Sequence, residues 1–151
     1  MHAQTSTELL NAIYGRRAVR KYAADQLSQS ELERLIVIAT QAPSAMNLQP
    51  WAFAVVWGAD RLKEYSECAK SYLLAGSGPL AEHAGTLAPD VNIFHNAPVL
   101  VVICATGDDE QAAEDCCLAA QTFMLAAFWF GLRNLSDRLL AAVASPRRHQ
   151  A

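Results

Sequence analysis

The chain reads as a helix-rich α+β domain, and three observations carry that reading. Apolar residues recur at helical spacing in several separate stretches, few stretches read as strands, and no glycine-rich turn follows either of the two clear ones. The order helix, helix, strand, helix, strand, helix leaves too few strands for a doubly wound sheet. The missing turn also removes a P-loop or dinucleotide fingerprint. At 151 residues, 52% hydrophobic and 18% charged, one domain is expected to bury its core without a disulfide or a structural metal.

Leu9, Leu10 and Ile13 mark a first helix from about Ser6 to Tyr14, with Gly15 as its C-cap. The basic stretch GRRAVRKY follows it. Ser28, three residues before Glu31, is a capping-box pattern, and it opens a second helix whose Leu32, Leu35, Ile36 and Ala39 share one face until Pro43. The loop APSAMNLQP then leads into WAFAVVW, Trp51 to Trp57, an aromatic and β-branched strand. Gly58 and Asp60 close that strand and cap a third helix from about Arg61 to Leu73.

Ala75 to Pro89 holds Gly76, Gly78, Pro79, Gly85 and Pro89 without an apolar period, and is expected to form a long surface loop or lid. Pro98 and Gly107 bound VLVVIC, Val99 to Cys104, a continuous apolar run that suits a strand buried on both faces. Asp108 or Asp109 then caps a long helix through Phe130, apolar nearly all round and therefore expected at the centre of the fold.

Charge and composition exclude several classes of partner. Twelve Lys+Arg against fifteen Asp+Glu give a formal charge of -3, without the electrostatic footprint of a nucleic-acid or anionic-membrane binder. The most apolar window, Cys116 to Leu132, contains Gln121 and Thr122 and falls short of the ~20 residues a spanning helix needs. Cys68, Cys104, Cys116 and Cys117 include no C-x-x-C pair, so packing thiols are expected. No basic start followed by an apolar run opens the chain, and a reducing cytoplasm is the expected compartment. His2, His83, His95 and His149 lack metal-ligand spacing and a partnered nucleophile, so neither a metal site nor a catalytic side chain is expected.

Two segments carry candidate chemistry. Arg16, Arg17, Arg20 and Lys21 place four cations within six positions, half of the eight Lys+Arg before residue 133. Forked guanidiniums suit bidentate recognition of a phosphate or carboxylate, although a basic cluster after a helix also complements the helix dipole. The second segment, with Pro43, Ser44, Asn47, Gln49 and Pro50, offers one hydroxyl and two carboxamides at the mouth of a strand. Such groups pair with a heteroaromatic ring edge, or simply close a turn.

The succession GRRAVRKY, a capped helix, APSAMNLQPWAFAVV, FHNAPVLVVI and a long Ala-rich helix ending in FGL resembles the FMN-dependent nitroreductase family, through Leu132. The resemblance implies an α+β fold with a small, mainly antiparallel sheet. It further implies a homodimer with FMN at the interface, reducing nitroaromatics, quinones or similar small acceptors with NAD(P)H by a ping-pong route. By position, Arg16, Arg17 and Arg20 would contact the phosphate and the ribityl or pyrimidine side of FMN. Pro43, Ser44, Ala45 and Asn47 would approach the ring from the partner subunit, with Gln49 supporting the loop. Ala18 stands where the family usually has serine, which leaves only backbone contact there. The resemblance requires no protein general acid.

Past Leu132 the resemblance breaks. Residues 1–132 hold eight cations against fourteen acids, whereas residues 133–151 hold four arginines against Asp137. The chain is therefore expected to comprise a nitroreductase-like FMN-binding domain at 1–132, with the C-terminal part of that fold missing, and a divergent basic tail at 133–151. Codons permitted for Arg133 to Arg148, read one base on, can spell ATCPIGFSRPWLRLG, family-like text, so a frameshift near codon 133 is expected. The tail read as it stands is a short helix with Ser136 as cap and Leu139, Leu140 and Val143 on one face. Two other functions accompany the enzyme reading: an inactive truncated remnant that folds or dimerises with weak flavin binding, and a flavin-binding or sensory module without turnover.

Overall fold

A computed structural model describes residues 2–22, 27–75, 90–107 and 110–132. The lid read at Ala75 to Pro89, the cap at Asp108 or Asp109 and the tail at 133–151 lie, Ala75 apart, outside the described residues. The elements are α1 (His2–Gly15), α2 (Gln29–Ala39), β1 (Trp51–Trp57), α3 (Ala59–Leu74), β2 (Val99–Ala105) and α4 (Glu110–Trp129), in the order expected. A short 3-10 turn, Ala45–Asn47, lies between α2 and β1.

β1 and β2 form a two-stranded sheet. The Gly58 N–H donates to the Pro98 carbonyl at 3.1 Å and the Thr106 N–H to the Pro50 carbonyl at 2.9 Å. The end of β1 therefore faces the start of β2, and the strands run antiparallel. In β2, Leu100, Ile103 and Ala105 are buried and no residue is fully exposed, in keeping with a strand covered on both faces.

The described chain divides into two compact units. The first holds residues 2–19, 27–54, 101–107 and 110–132, and the second 20–22, 55–75 and 90–100. In the first, Ile103, Ala105, Ala112 and Cys116 form a core against which Trp51, Phe53, Val101 and Ala120 pack. α2 and α1 both lie on α4, where the small residues Ala119 and Ala127 are buried and admit close approach. In the second unit, Leu62, Ser66, Lys70 and Leu73 make the buried face of α3. Lys70 buries its stem and carries its ammonium to Glu67 at 2.8 Å, the usual compromise for a long cationic side chain. The Ser66 hydroxyl accepts the Ile93 N–H at 2.9 Å, so the buried polar group is satisfied.

Four features need correction or completion. Gly15 is the last residue of α1, and its φ is not positive, so it is no left-handed cap. Its reason is a close approach, since a Cβ there would stand 2.5 Å from Cζ of Phe128. The glycine that does close a helix in the left-handed region is Gly131 (φ +75), where the Gly131 and Leu132 N–H groups return to the carbonyls of Phe128 and Ala127. Second, Leu9, Leu10 and Ile13 are 57%, 48% and 47% exposed, and among the described side chains of α1 only Ala12 is buried. Helical period signals an apolar face, but the face is open in a single copy. Third, Asp60 does not cap α3. Gly58 holds the N-cap position with no side-chain bond, and Asp60 sits in the first turn, where its charge complements the dipole. Fourth, α4 is the helix on which α1, α2 and the 3-10 turn pack, as its expected central place requires, but it is not covered all round, because Leu118 and Trp129 are exposed.

Candidate functional site

α2 delivers the chain to the polar loop, and its start is closed locally. The Ser28 hydroxyl accepts the Glu31 N–H at 3.3 Å while the Glu31 carboxylate accepts the Ser28 N–H at 2.9 Å, a complete capping box. These bonds to Ser28 hold the Glu31 carboxyl below the ordinary carboxylate range. Leu32, Leu35 and Ala39 are buried on the inward face, and the helix stops where the Thr40 N–H returns to Ile36.

The loop that follows is held in a costly conformation. Met46 (φ 49), Asn47 (φ 56) and Gln49 (φ 48) are all left-handed, and none is glycine. Each such residue costs on the order of 1–3 kcal/mol, less for Asn, and persists only where its surroundings impose it. Two kinds of tie impose it here. Within the loop, the Ser44 hydroxyl accepts the Gln49 N–H at 2.9 Å, and the Asn47 and Leu48 N–H groups close on Ser44 and Ala45. From α4, both carboxylate oxygens of Asp115 accept the Ala45 N–H, at 3.2 and 3.1 Å, and the Cys116 thiol donates to the Pro50 carbonyl at 3.8 Å. Burial pushes the Cys116 thiol up, and Cys117, Cys104 and Asp115 act in the same direction, so it remains a protonated donor.

The loop displays what these ties leave over. Pro43, Asn47 and Gln49 are exposed, Ser44 and Ala45 are half-buried, and Met46 is 85% exposed beside an exposed Leu48. Among the described residues nothing bonds the Asn47 carboxamide, and the Ser44 hydroxyl proton is left free to donate because that oxygen is used as an acceptor. Unpaired amide and hydroxyl groups beside two exposed apolar side chains suit a flat heteroaromatic ring, which needs edge partners and a covered face.

The basic segment is built differently. Arg17 turns back on α1, its Nη1 donating to the Tyr14 and Arg16 carbonyls at 2.6 and 2.8 Å. That is the dipole-complementing role, and it leaves Nη2 and Nε as further donors. Arg16 is half-buried and has no carboxylate partner among the described residues. Ala18 is exposed, and Arg20, also exposed, belongs to the second unit. The donor chemistry fits an anionic phosphate as well as a ring.

Sequence reading missed Asp115, the buried acid that grips the loop. A signal was present: an acidic residue at helical spacing from Ala112 and Ala119, on the inward stripe of an otherwise apolar helix. Among the described residues no group of His, Cys, Asp or Glu is arranged to hold a metal ion, and no helix is long and apolar enough to cross a membrane.

Comparison with known proteins bears on this arrangement. The nitroreductase family model matches residues 13–133. A relative from Archaeoglobus fulgidus, named as an NADH dehydrogenase/NAD(P)H nitroreductase, is 31% identical over 146 residues, covering 89% of this chain and 73% of that protein. The structure of a nitroreductase with bound FMN from Bacteroides fragilis NCTC 9343 matches with a TM-score of 0.72 at 28% identity, over 82% of this chain and 66% of that one. A further nitroreductase with bound FMN, from Desulfitobacterium hafniense DCB-2, matches with a TM-score of 0.70 at 29% identity, over 85% and 68%. The chain thus spans about two thirds of the length of the relatives it matches.

Proposed function

Because this chain belongs to the nitroreductase family, we propose that it is an FMN-dependent NAD(P)H oxidoreductase that reduces nitroaromatics, quinones or similar small acceptors by a ping-pong route. The observation that carries this reading is the Ser44–Gln49 loop, strained into the left-handed region and presenting an unpaired carboxamide. FMN, when bound, supplies the hydride chemistry. The chain's own residues bind and orient. Arg16, Arg17 and Arg20 take the phosphate and the ribityl or pyrimidine side, and Ala18 offers backbone alone. Pro43, Ser44, Ala45 and Asn47 meet the ring, and Gln49 braces them through its N–H on Ser44. No side chain is assigned as a proton donor.

The loop acts across a homodimer in this reading. Support comes from a groove of about 400 Å³ between α1, α2 and α4, lined by Leu9, Ala12, Ile38, Leu125, Trp129 and Phe130 among others. Leu10 and Ile13 of α1 and Val37 of α2 are exposed as well, and apolar surface of this kind is what a second copy covers. The four thiols are free, which supports a cytoplasmic setting.

A second reading has its own observation: the family match stops at residue 133, although the chain continues to Ala151. We take 1–132 as the flavin-binding domain and 133–151 as a divergent basic tail. The chain is then a remnant that folds or dimerises with weak flavin binding. Family-like text in the next reading frame of the gene after codon 133 would establish the frameshift, and its absence would refute it.

Flavin titration decides between the two. With FMN added to the purified chain, fluorescence quenching is expected at stoichiometric flavin, weakened at least about tenfold in the Arg16→Ala, Arg20→Ala variant. A folded chain that quenches nothing supports the remnant.

A further inference from the structure

Asp115 is a buried carboxyl group beneath the loop on which the cofactor reading depends. It is 6% exposed and lies on the inward stripe of α4 with Ala112, Cys116 and Ala119. An ionised carboxylate has about four lone-pair sites. Among the described residues, the N–H that reaches this one is that of Ala45, shared between Oδ1 and Oδ2. So sparse a partnership is costly for a buried polar group, and the contact it does make is with the loop.

What it supplies is visible one residue on. Met46 and Asn47 turn left-handed immediately after Ala45, and Gln49 follows them there. The Ala45 N–H is the last backbone donor before that excursion, so holding it fixes the point from which the excursion departs. Ser44 precedes it in extended backbone (φ -141, ψ 153) and closes the far side by accepting the Gln49 N–H. The conformation that displays Asn47 is therefore tied at its near end to a side chain 70 residues further along the chain.

We propose that Asp115 is the positioning residue of this loop. Its carboxylate clamps the Ala45 N–H, so the left-handed turn is built before any ligand arrives and the Asn47 carboxamide stands ready for the edge of a heteroaromatic ring. The ring rests on the flavin reading above, whereas the clamp rests on geometry alone. The chemistry needed at position 115 is an acceptor rather than a charge. Asp115→Asn keeps one oxygen for the N–H but puts an amide donor in place of the other, so it should hold the loop less well than Asp115 and better than Asp115→Ala, which keeps no acceptor and strands the amide.

The test measures amide hydrogen exchange in the flavin-free chain, followed by titration with riboflavin and with FMN. In Asp115→Ala, exchange at Ala45, Asn47 and Leu48 should rise at least about tenfold while the α2 amides stay protected, and in Asp115→Asn, which keeps one of the two acceptors, it should rise distinctly less. Riboflavin and FMN affinities should fall by one common factor in Asp115→Ala, because the ring end is disturbed. Arg16→Ala, in the other segment, should weaken FMN binding and leave exchange at Ala45, Asn47 and Leu48 unchanged.

Unchanged exchange in Asp115→Ala overturns the clamp, and Asp115→Asn behaving like Asp115→Ala overturns the acceptor role. Should Asp115→Ala fail to fold, Ala45→Pro removes the donor from the other side of the same contact, at a helical first position that accepts proline, and must loosen the Asn47 and Leu48 amides. A folded, unaltered chain that binds neither flavin overturns the ring as the loop's occupant, and with it the cofactor reading, while the exchange result still decides the clamp.

Discussion

The two ends of α2 are built on opposite plans. Its start is closed by Ser28 and Glu31, three residues apart, each satisfying the other's backbone N–H. Its exit runs into a loop whose three left-handed residues depend on Asp115, a side chain from another helix. The first plan is an interaction within one turn, available to an isolated peptide. The second exists only when α4 has packed beside the loop. A helix start is thus a local decision here, whereas the display of Asn47 is a tertiary one, and the candidate function sits at the tertiary end.

That contrast can be broken most forcibly at the end of α1, where a close approach of the same distant kind is at stake. Gly15→Leu puts a side chain where Cζ of Phe128 lies 2.5 Å from the first added carbon. Thermal or urea unfolding should show a loss of about 1–3 kcal/mol, and an unchanged midpoint would mean that α1 shifts freely on α4. Asp115→Ala follows, with a loss of about 1–3 kcal/mol from the stranded Ala45 amide, against a smaller loss for Asp115→Asn, which keeps one acceptor. If the two variants unfold alike, the loop is not held through an acceptor.

The local end should respond more gently. Ser28→Ala removes the cap and costs about 1 kcal/mol, with fraying confined to the first turn of α2 and no change at Ala45. The smallest effect is one of pH. Glu31 is held below its ordinary range by Ser28, so its contribution is fully present above the unfolded value and is lost as pH falls through the lowered folded one. Amide exchange in the first turn of α2 should therefore be protected at neutral pH and lose that protection only in acid. Loosening that begins near neutrality would assign the cap to another group.

The fold was legible wherever a pattern repeats over a few residues. The strand Trp51–Trp57 falls where its aromatic and β-branched run places it, and the box at Ser28 stands as read. Val99–Ala105 extends the expected strand by one residue, and α4 ends at Trp129, one short of Phe130. Failures came where a residue's reason lay elsewhere in the chain. Gly15 reads as a cap because glycine after an apolar period ends many helices, but it is small for the sake of Phe128. Leu9, Leu10 and Ile13 mark a helix by their period, yet period alone does not say whether a surface of the same chain covers them. In the candidate site, the loop and the basic cluster were legible from residue type, while the turning back of Arg17 on α1 and the grip of Asp115 were not.

By itself, then, the sequence determined the order of elements, the capped start of α2, both strands and the residue types gathered at Arg16–Arg20 and Ser44–Gln49, because each depends on neighbours within a turn or a strand. Only the tertiary structure decided that Asp115 lies under the loop, that Asn47 is left unpaired and that Gly15 leaves room for Phe128. Those facts depend on where a distant helix comes to rest. Burial then sets the stakes, because a buried donor or charge must find its partner wherever in the chain that partner lies.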